Sequence, residues 1–373
     1  MKKFVTILLT ILLVVSFAAC SAQPVAPTSE AAATEAPAAQ AETATAEPTA
    51  TPVPLKVAIV LTTSGLGDKN FNDMSYQGLL QAQEDFGIEF DYLEPTSASD
   101  FESMHRMLAE GGEYDLIIGI GSDQMDAINT VATDFPDQKW SYVDATLDMP
   151  NVSSVSTKWP EQTFLCGVVA GLATQGKLDN ANAENVVGVI LGMDFPNLRQ
   201  GVVGFTAGVR YVNPDCEVLE GIVNGFGDPA TAKEIALSMY NRGADMIQHI
   251  AGASGLGVFT AAEETNMYAF GVGGNQNYLS PDHIIATSIR NVNEIVYNEV
   301  KALVDGTWTP GAHISGMKEG SVGYSTEGSN IVLPDEIISI VEETRQKIIS
   351  GELSIPSSAD ELDAWVAANQ YGK

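Results

Sequence analysis

Short apolar runs rich in β-branched residues recur along the chain from Leu55 onward, and most are followed by a stretch with helical spacing. Leu55–Thr62 (LKVAIVLT) is the first run, and its unbroken apolar character marks a strand buried on both faces. Asn70–Phe86 then has helical periodicity, with Asn70 at the N-cap position and Gly87 just past the end. Strands are predicted at Tyr114–Ile120 and Trp140–Asp144. A helix opens at Ser122, and another covers Pro160–Gly176 with Gly167, Ala170, Gly171 and Ala173 on close-packing faces. A second series places strands at Val186–Leu191, Glu217–Val223, Asp245–Ile250, Tyr268–Val272 and Ile284–Thr287. Its helices are Pro196–Tyr211, one capped by Asp228 with Pro229 at its first position, Gly255–Thr265 and Asn291–Val304. Pro334–Gly351 and Ala359–Asn369 read as two outer helices. Such alternation builds parallel sheets wrapped by helices.

There are more strands than one small sheet holds, and they fall into two halves. The expected fold class is α/β, two doubly wound parallel-sheet lobes joined by a hinge with a cleft between. Residues 55–157 plus 275–311 are assigned to lobe 1, and 158–274 plus 312–373 to lobe 2 with the C-terminal helices. Chain crossings are expected near Ser156–Trp159, Asn275–Thr287 and Gly311–Lys318.

The pattern before Leu55 is different. Lys2 and Lys3 precede an apolar run from Phe4 to Phe17, then Ala18, Ala19 and Cys20. Residues 1–20 read as a secretory signal, too short for a good membrane span. The ending is similar to a bacterial lipoprotein cleavage site, with Cys20 as the lipidated terminus. Residues 21–54 contain no Lys, Arg or aromatic residue, so they are expected to be a disordered tether. A lipid, a stalk and a folded body place the protein at the extracytoplasmic face of a cell membrane.

Charge then narrows the partners. Lys plus Arg total 18 against 48 Asp plus Glu, a formal net charge of -30, which excludes nucleic acid as a partner. Of the four histidines, His105 is placed on an exposed helix, and none lies in a recognisable nucleophile–base setting. No His/Cys cluster has metal-ligand spacing, and the Asp68–Asp73 loop lacks a calcium-loop spacing. Gly65-Leu66-Gly67 lacks the third glycine of a dinucleotide loop. The reading is a non-enzyme with no metal and no cofactor. Cys166 and Cys216 are expected as buried free thiols, although an extracytoplasmic pairing stays open.

In open parallel sheets the ligand crevice lies beyond the carboxyl ends of the strands. Here those ends are rich in Gly, Asn, Asp and aromatic residues, which offer hydrogen bonds and flat faces. Asp123, Asp194 and Asp228 are helix caps or ligand contacts. Phe71 satisfies no helical or strand period within its loop, so it is a candidate ligand stack, as is Trp159 at the hinge.

Ordered motifs over Lys56 to Gly351 resemble the basic membrane protein (BMP) family, the PnrA-like substrate-binding lipoproteins of ABC importers that take up purine nucleosides. They include Gly67-Asp68-Lys69-Asn70-Phe71-Asn72, close to the family's GDKSFN. They also include Glu161–Gly167, Gly192–Pro196, Asn224–Pro229 and Ala251–Phe259. The resemblance implies a type I periplasmic-binding-protein fold, a purine nucleoside held between the lobes, an ABC permease as partner and a monomer. Carried over, Phe71 stacks on the base, and Asp68, Asn72 and Asp123 contact it. Trp159, Asp194, Phe226, Gly252, Asn275 and Arg290 complete the candidate ligand-binding set. Where the family reads GVDxDQ, this chain has Gly273 and Asn275 in place of the two Asp residues, and Arg290 is the nearest stand-in for a following Lys. The first of those Asp residues is expected to bind ribose hydroxyls. A missing charged hydrogen bond costs about 1.5–3 kcal/mol. A nucleobase, another small polar molecule, or a ligand-presenting membrane sensor are therefore the alternatives.

Overall fold

The computed structural model describes residues Pro54–Lys373. The signal sequence with Cys20, and the tether apart from Pro54, lie outside the described residues.

The first half runs β1 (Lys56–Val60), α1 (Phe71–Phe86), β2 (Glu89–Leu93), α2 (Phe101–Gly111), β3 (Leu116–Ile120), α3 (Met125–Asp134), β4 (Trp140–Val143) and β5 (Val152–Thr157). The second runs α4 (Trp159–Ala173), β6 (Val186–Leu191), α5 (Pro196–Val212), β7 (Glu217–Ile222), α6 (Pro229–Asn241), β8 (Ala244–Ile250), α7 (Leu256–Thr265), β9 (Tyr268–Gly273) and β10 (Ile284–Arg290). The chain closes with α8 (Val292–Val304), β11 (Gly311–Ser315), β12 (Val322–Ser325), α9 (Asp335–Ser350) and α10 (Ala359–Asn369).

Two six-stranded sheets result, ordered β11-β5-β4-β3-β1-β2 and β12-β10-β9-β8-β6-β7. Every pair is parallel except β10 with β12. The apolar runs behave as their composition dictates: β3, β6, β8 and β9 are buried along their whole length. Helices on both faces remove them from water.

The second crossing differs from expectation. Ile284–Arg290 pairs in parallel with β9, Thr287 opposite Gly271, so residues 275–290 belong to the second lobe rather than the first. The chain crosses after Arg290. Helix α8 packs on α1 through Val292, Ile295, Val296 and Val300, and β11 pairs with β5, so the first lobe reclaims 292–315. The pattern of an apolar strand shows that it is buried, but not which sheet it joins.

Helix α4 is apolar on all sides because it is covered on all sides, by the second sheet, α5 and the C-terminal helices. Its crossing with α5 is close: a β-carbon at Gly167 would meet Phe205 O at 2.2 Å, and one at Gly208 would meet Phe164 O at 2.1 Å. Cys166 and Cys216 are buried free thiols. Burial pushes both up to about 12, which keeps them unreactive.

His105 is a correction. It lies on α2 but is fully buried, its Nε2 2.7 Å from Gln124 Oε1, because that face of the helix packs on β3. Burial holds it neutral, down to about 4.

Candidate functional site

The carboxyl ends of both sheets converge on one interlobe hollow. Its wall includes seven of the ten ligand-binding candidates: Asp68, Phe71, Asp123, Trp159, Phe226, Gly252 and Arg290. Asn70, Asp144 and Gln162 also line it. The remaining free space is about 80 Å³. A wider hollow of about 840 Å³ adjoins it and shares Ser122, Asp123, Asp144 and Trp159.

The first loop is held by its own polar groups. Asp68 accepts the backbone N–H of Asn70 and of Asn72 at 2.9 Å each, so it caps α1, whereas Asn70 makes no side-chain cap bond. An acidic side chain there also meets the positive end of the helix. Asn72 is fully buried behind the hollow, bonded to Thr62, Ser64 and Asp68. These contacts set Phe71 at the first turn with its ring toward the cleft.

Trp159 begins α4 at the hinge. Phe226 lies over Gly192 and Gly252, where a β-carbon at 192 would meet its ring at 2.5 Å. Gly252 also has φ +56, a conformation that glycine adopts without steric cost.

The centre is an ion pair between lobes. Arg290 Nη1, from the end of β10, is 2.7 Å from Asp144 Oδ1, from the end of β4, and both side chains are buried. The guanidinium carbon sits 4.8 Å from the Trp159 ring centroid and 5.5 Å from that of Phe71. Arg290 Nε and Nη2 have no hydrogen-bond partner, nor do Asp123 Oδ1, Trp159 Nε1 and Gln162 Oε1. Asp144 has φ +103, a strained conformation for a residue with a β-carbon. Asn197, at the start of α5, joins the lobes by donating to Ser122 Oγ at 2.8 Å and to Asp144 O at 3.1 Å.

Burial pushes Asp123 up to about 6, and the neighbouring Asp144 carboxylate adds to the effect. Burial also raises Asp144, against the pull of Arg290.

Three candidates stand elsewhere: Asn72 behind the wall, and two others outside it. Asp194 is exposed and pairs with Arg199, which also binds Glu220. Asn275 turns into the β9–β10 loop, donating to Glu327 O and accepting from Asn277 N at 3.0 Å each. Asp144 and Gln162 were not singled out from sequence. Asp144 carried a usable signal, as the residue ending the strand Trp140–Asp144. Gln162 lay inside an apolar helix, and its place in the Glu161–Gly167 motif did not mark it as pocket lining. Among the described residues no cluster of His, Cys, Asp and Glu could hold a metal ion.

Two lobes with a pocket between them are the architecture of proteins that bind a small ligand. Residues 55–359 match the family Bmp, described as "ABC transporter substrate-binding protein PnrA-like", and the chain belongs to that family. An uncharacterised lipoprotein of Pyrococcus abyssi is 31% identical over 79% of this chain and 78% of its own length. The ABC transporter nucleoside-binding protein BmpA of Lactococcus lactis subsp. cremoris is 28% identical over 81% of this chain and 89% of its own. The solved structure of an ABC transporter solute-binding protein from Aeropyrum pernix K1 superposes with a TM-score of 0.77 at 27% identity. It covers 85% of this chain and 99% of that one. The fold is the periplasmic-binding-protein type, and the family's members bind a small ligand and deliver it to a permease; they are not enzymes.

Proposed function

We infer that this protein is the lipid-anchored, extracytoplasmic capture subunit of an ABC importer and that its cargo is a purine nucleoside. One observation carries the cargo reading: the hollow combines flat aromatic faces from both lobes, Phe71 and Phe226 with Trp159 at the hinge, with unpartnered polar atoms on Asp123, Trp159 and Gln162. That combination suits a planar, polar ring. The printed name of the Lactococcus relative supports the same class. The anchor reading rests on the leader, on Cys20 and on the lipoprotein description of the Pyrococcus relative. Among the described residues no helix is long and apolar enough to cross a membrane.

The action is hinge closure without bond chemistry. Ligand bridging both lobes favours the closed form by its differential affinity, and the closed form is what the permease meets. Asp68, Phe71, Asp123, Trp159 and Phe226 are the residues assigned to the ligand, with Asn72 as their support. The protein acts as a monomer.

Titration calorimetry with guanosine, inosine and adenosine, against ribose and uridine, tests the cargo. Saturable one-to-one binding of a purine nucleoside supports it. No heat from any purine nucleoside at millimolar concentration overturns it in favour of another small polar ligand.

A further inference from the structure

Arg290 occupies the place where a flat ligand would stack. Its guanidinium is planar and delocalised and lies over the Trp159 ring at 4.8 Å and over the Phe71 ring at 5.5 Å, so it covers both of the aromatic faces that a ligand ring would use. The space left beside it, about 80 Å³, is well below the roughly 300–1,000 Å³ of ordinary ligand pockets. Phe71 and Trp159 therefore cannot both face a ligand ring while Arg290 stays. The guanidinium is also poorly satisfied for a buried cation: Nη1 meets Asp144, while Nε and Nη2 are unpartnered. An ion so under-bonded is held less firmly than its burial suggests.

Asp144 sets the terms of any exchange. Its carboxylate is buried, and its backbone is held in place, the N–H donating to Val155 O and the C=O accepting from the Asn197 side chain. If Arg290 leaves, a donor must take its place, because a buried carboxylate without one is costly.

We propose that Arg290 is a resident occupant of the slot, displaced by a ligand that presents to Asp144 the same kind of edge, flat and N–H-donating, as the ring N–H and adjoining amino group of guanine do. The proposal rests on the purine reading above for the ligand, and on geometry alone for the occupant. An adenine edge, which places a ring acceptor beside its amino group, leaves Asp144 partly unmet. Arg290 therefore lowers affinity for every ligand, and Asp144 discriminates among them.

The test uses Arg290→Ala, with Arg290→Met as a second variant that keeps apolar volume in the slot. With the occupant removed, guanosine affinity by calorimetry rises about tenfold or more in both variants, and guanosine stays preferred over adenosine. An affinity that falls or stays level makes Arg290 a ligand contact and overturns the occupant. Loss of the guanosine preference in all three proteins overturns the role given to Asp144. A second arm needs no nucleoside. Low-millimolar guanidinium chloride raises the thermal midpoint of Arg290→Ala saturably over sodium chloride, and leaves the wild-type protein unchanged. No such effect overturns the occupant. Failure of every nucleoside with success of the guanidinium arm overturns the purine reading and keeps the slot.

Discussion

Asn70 Oδ1 of the first lobe stands 1.9 Å from the point that a β-carbon on Gly273 of the second lobe would occupy, and it accepts the Gly274 N–H at 3.3 Å. The two residues are coupled. The family motifs that the sequence resembles read Ser where this chain has Asn70 and Asp where it has Gly273. Gly273 also has φ +85, which a residue with a side chain adopts only under strain.

Gly273→Asp alone is therefore expected to lower the thermal midpoint, at a cost of roughly 1–3 kcal/mol from strain and crowding. Adding Asn70→Ser should return part of that stability, which paired melting curves will check. In the wild-type protein, with no carboxylate at 273, guanine should bind within about tenfold of guanosine, the allowance for one modest hydrogen bond. A much larger nucleoside preference by calorimetry would show another group holding the ribose.

Phe71→Ala should weaken ligand binding by on the order of 1–3 kcal/mol, the range for a base stacked on an aromatic ring. The fold should survive, because Phe71 only borders the core of the first lobe. Trp159→Phe keeps a ring and removes the unpartnered Nε1 donor. Its loss should be near 0.5–1.5 kcal/mol, the value of one neutral hydrogen bond. Calorimetry on both variants separates stacking from donation, and an unchanged affinity for either removes that residue from the site.

Asp123, raised to about 6, gives a pH signature. Its folded value lies above its unfolded value of 3.8, so its contribution to stability is present below about 4 and is lost as pH rises through about 6. Asp123→Asn should therefore gain stability relative to wild type between those values, by on the order of 1–2 kcal/mol at neutral pH. Denaturant melts at pH 4 and pH 7 will show whether the gap widens with pH. If the ligand donates to Asp123, wild-type affinity should also fall below about pH 6 and the variant's should not.

The chain made its strands legible where they were long, apolar and enclosed, as at β3, β6 and β8. It concealed β5, whose sequence VSSVST is two-thirds hydroxyl-bearing yet wholly buried; Ser154 Oγ there both accepts from Leu147 N and donates to Leu147 O. It also hid β2, whose residues EFDYL lie at a sheet edge with little burial. The loops that form the cleft followed from the rule on strand ends, which brought Phe71, Asp123 and Phe226 to one place. Asp194 and Asn275 obeyed the same rule but turned outward, because a strand end fixes where a loop starts and not where its side chains point. The pairing of Asp144 with Arg290 joins residues 146 positions apart from different lobes, and no local pattern encodes it.

The two lobes are expected to close on a small guest and release it unchanged. Native mass spectrometry of the protein incubated with guanosine, followed by denaturation and mass analysis of what is released, tests it most directly. The expected result is a one-to-one adduct and intact guanosine on release. Free guanine in the released fraction, or no adduct at millimolar guanosine, inosine or adenosine, would contradict it.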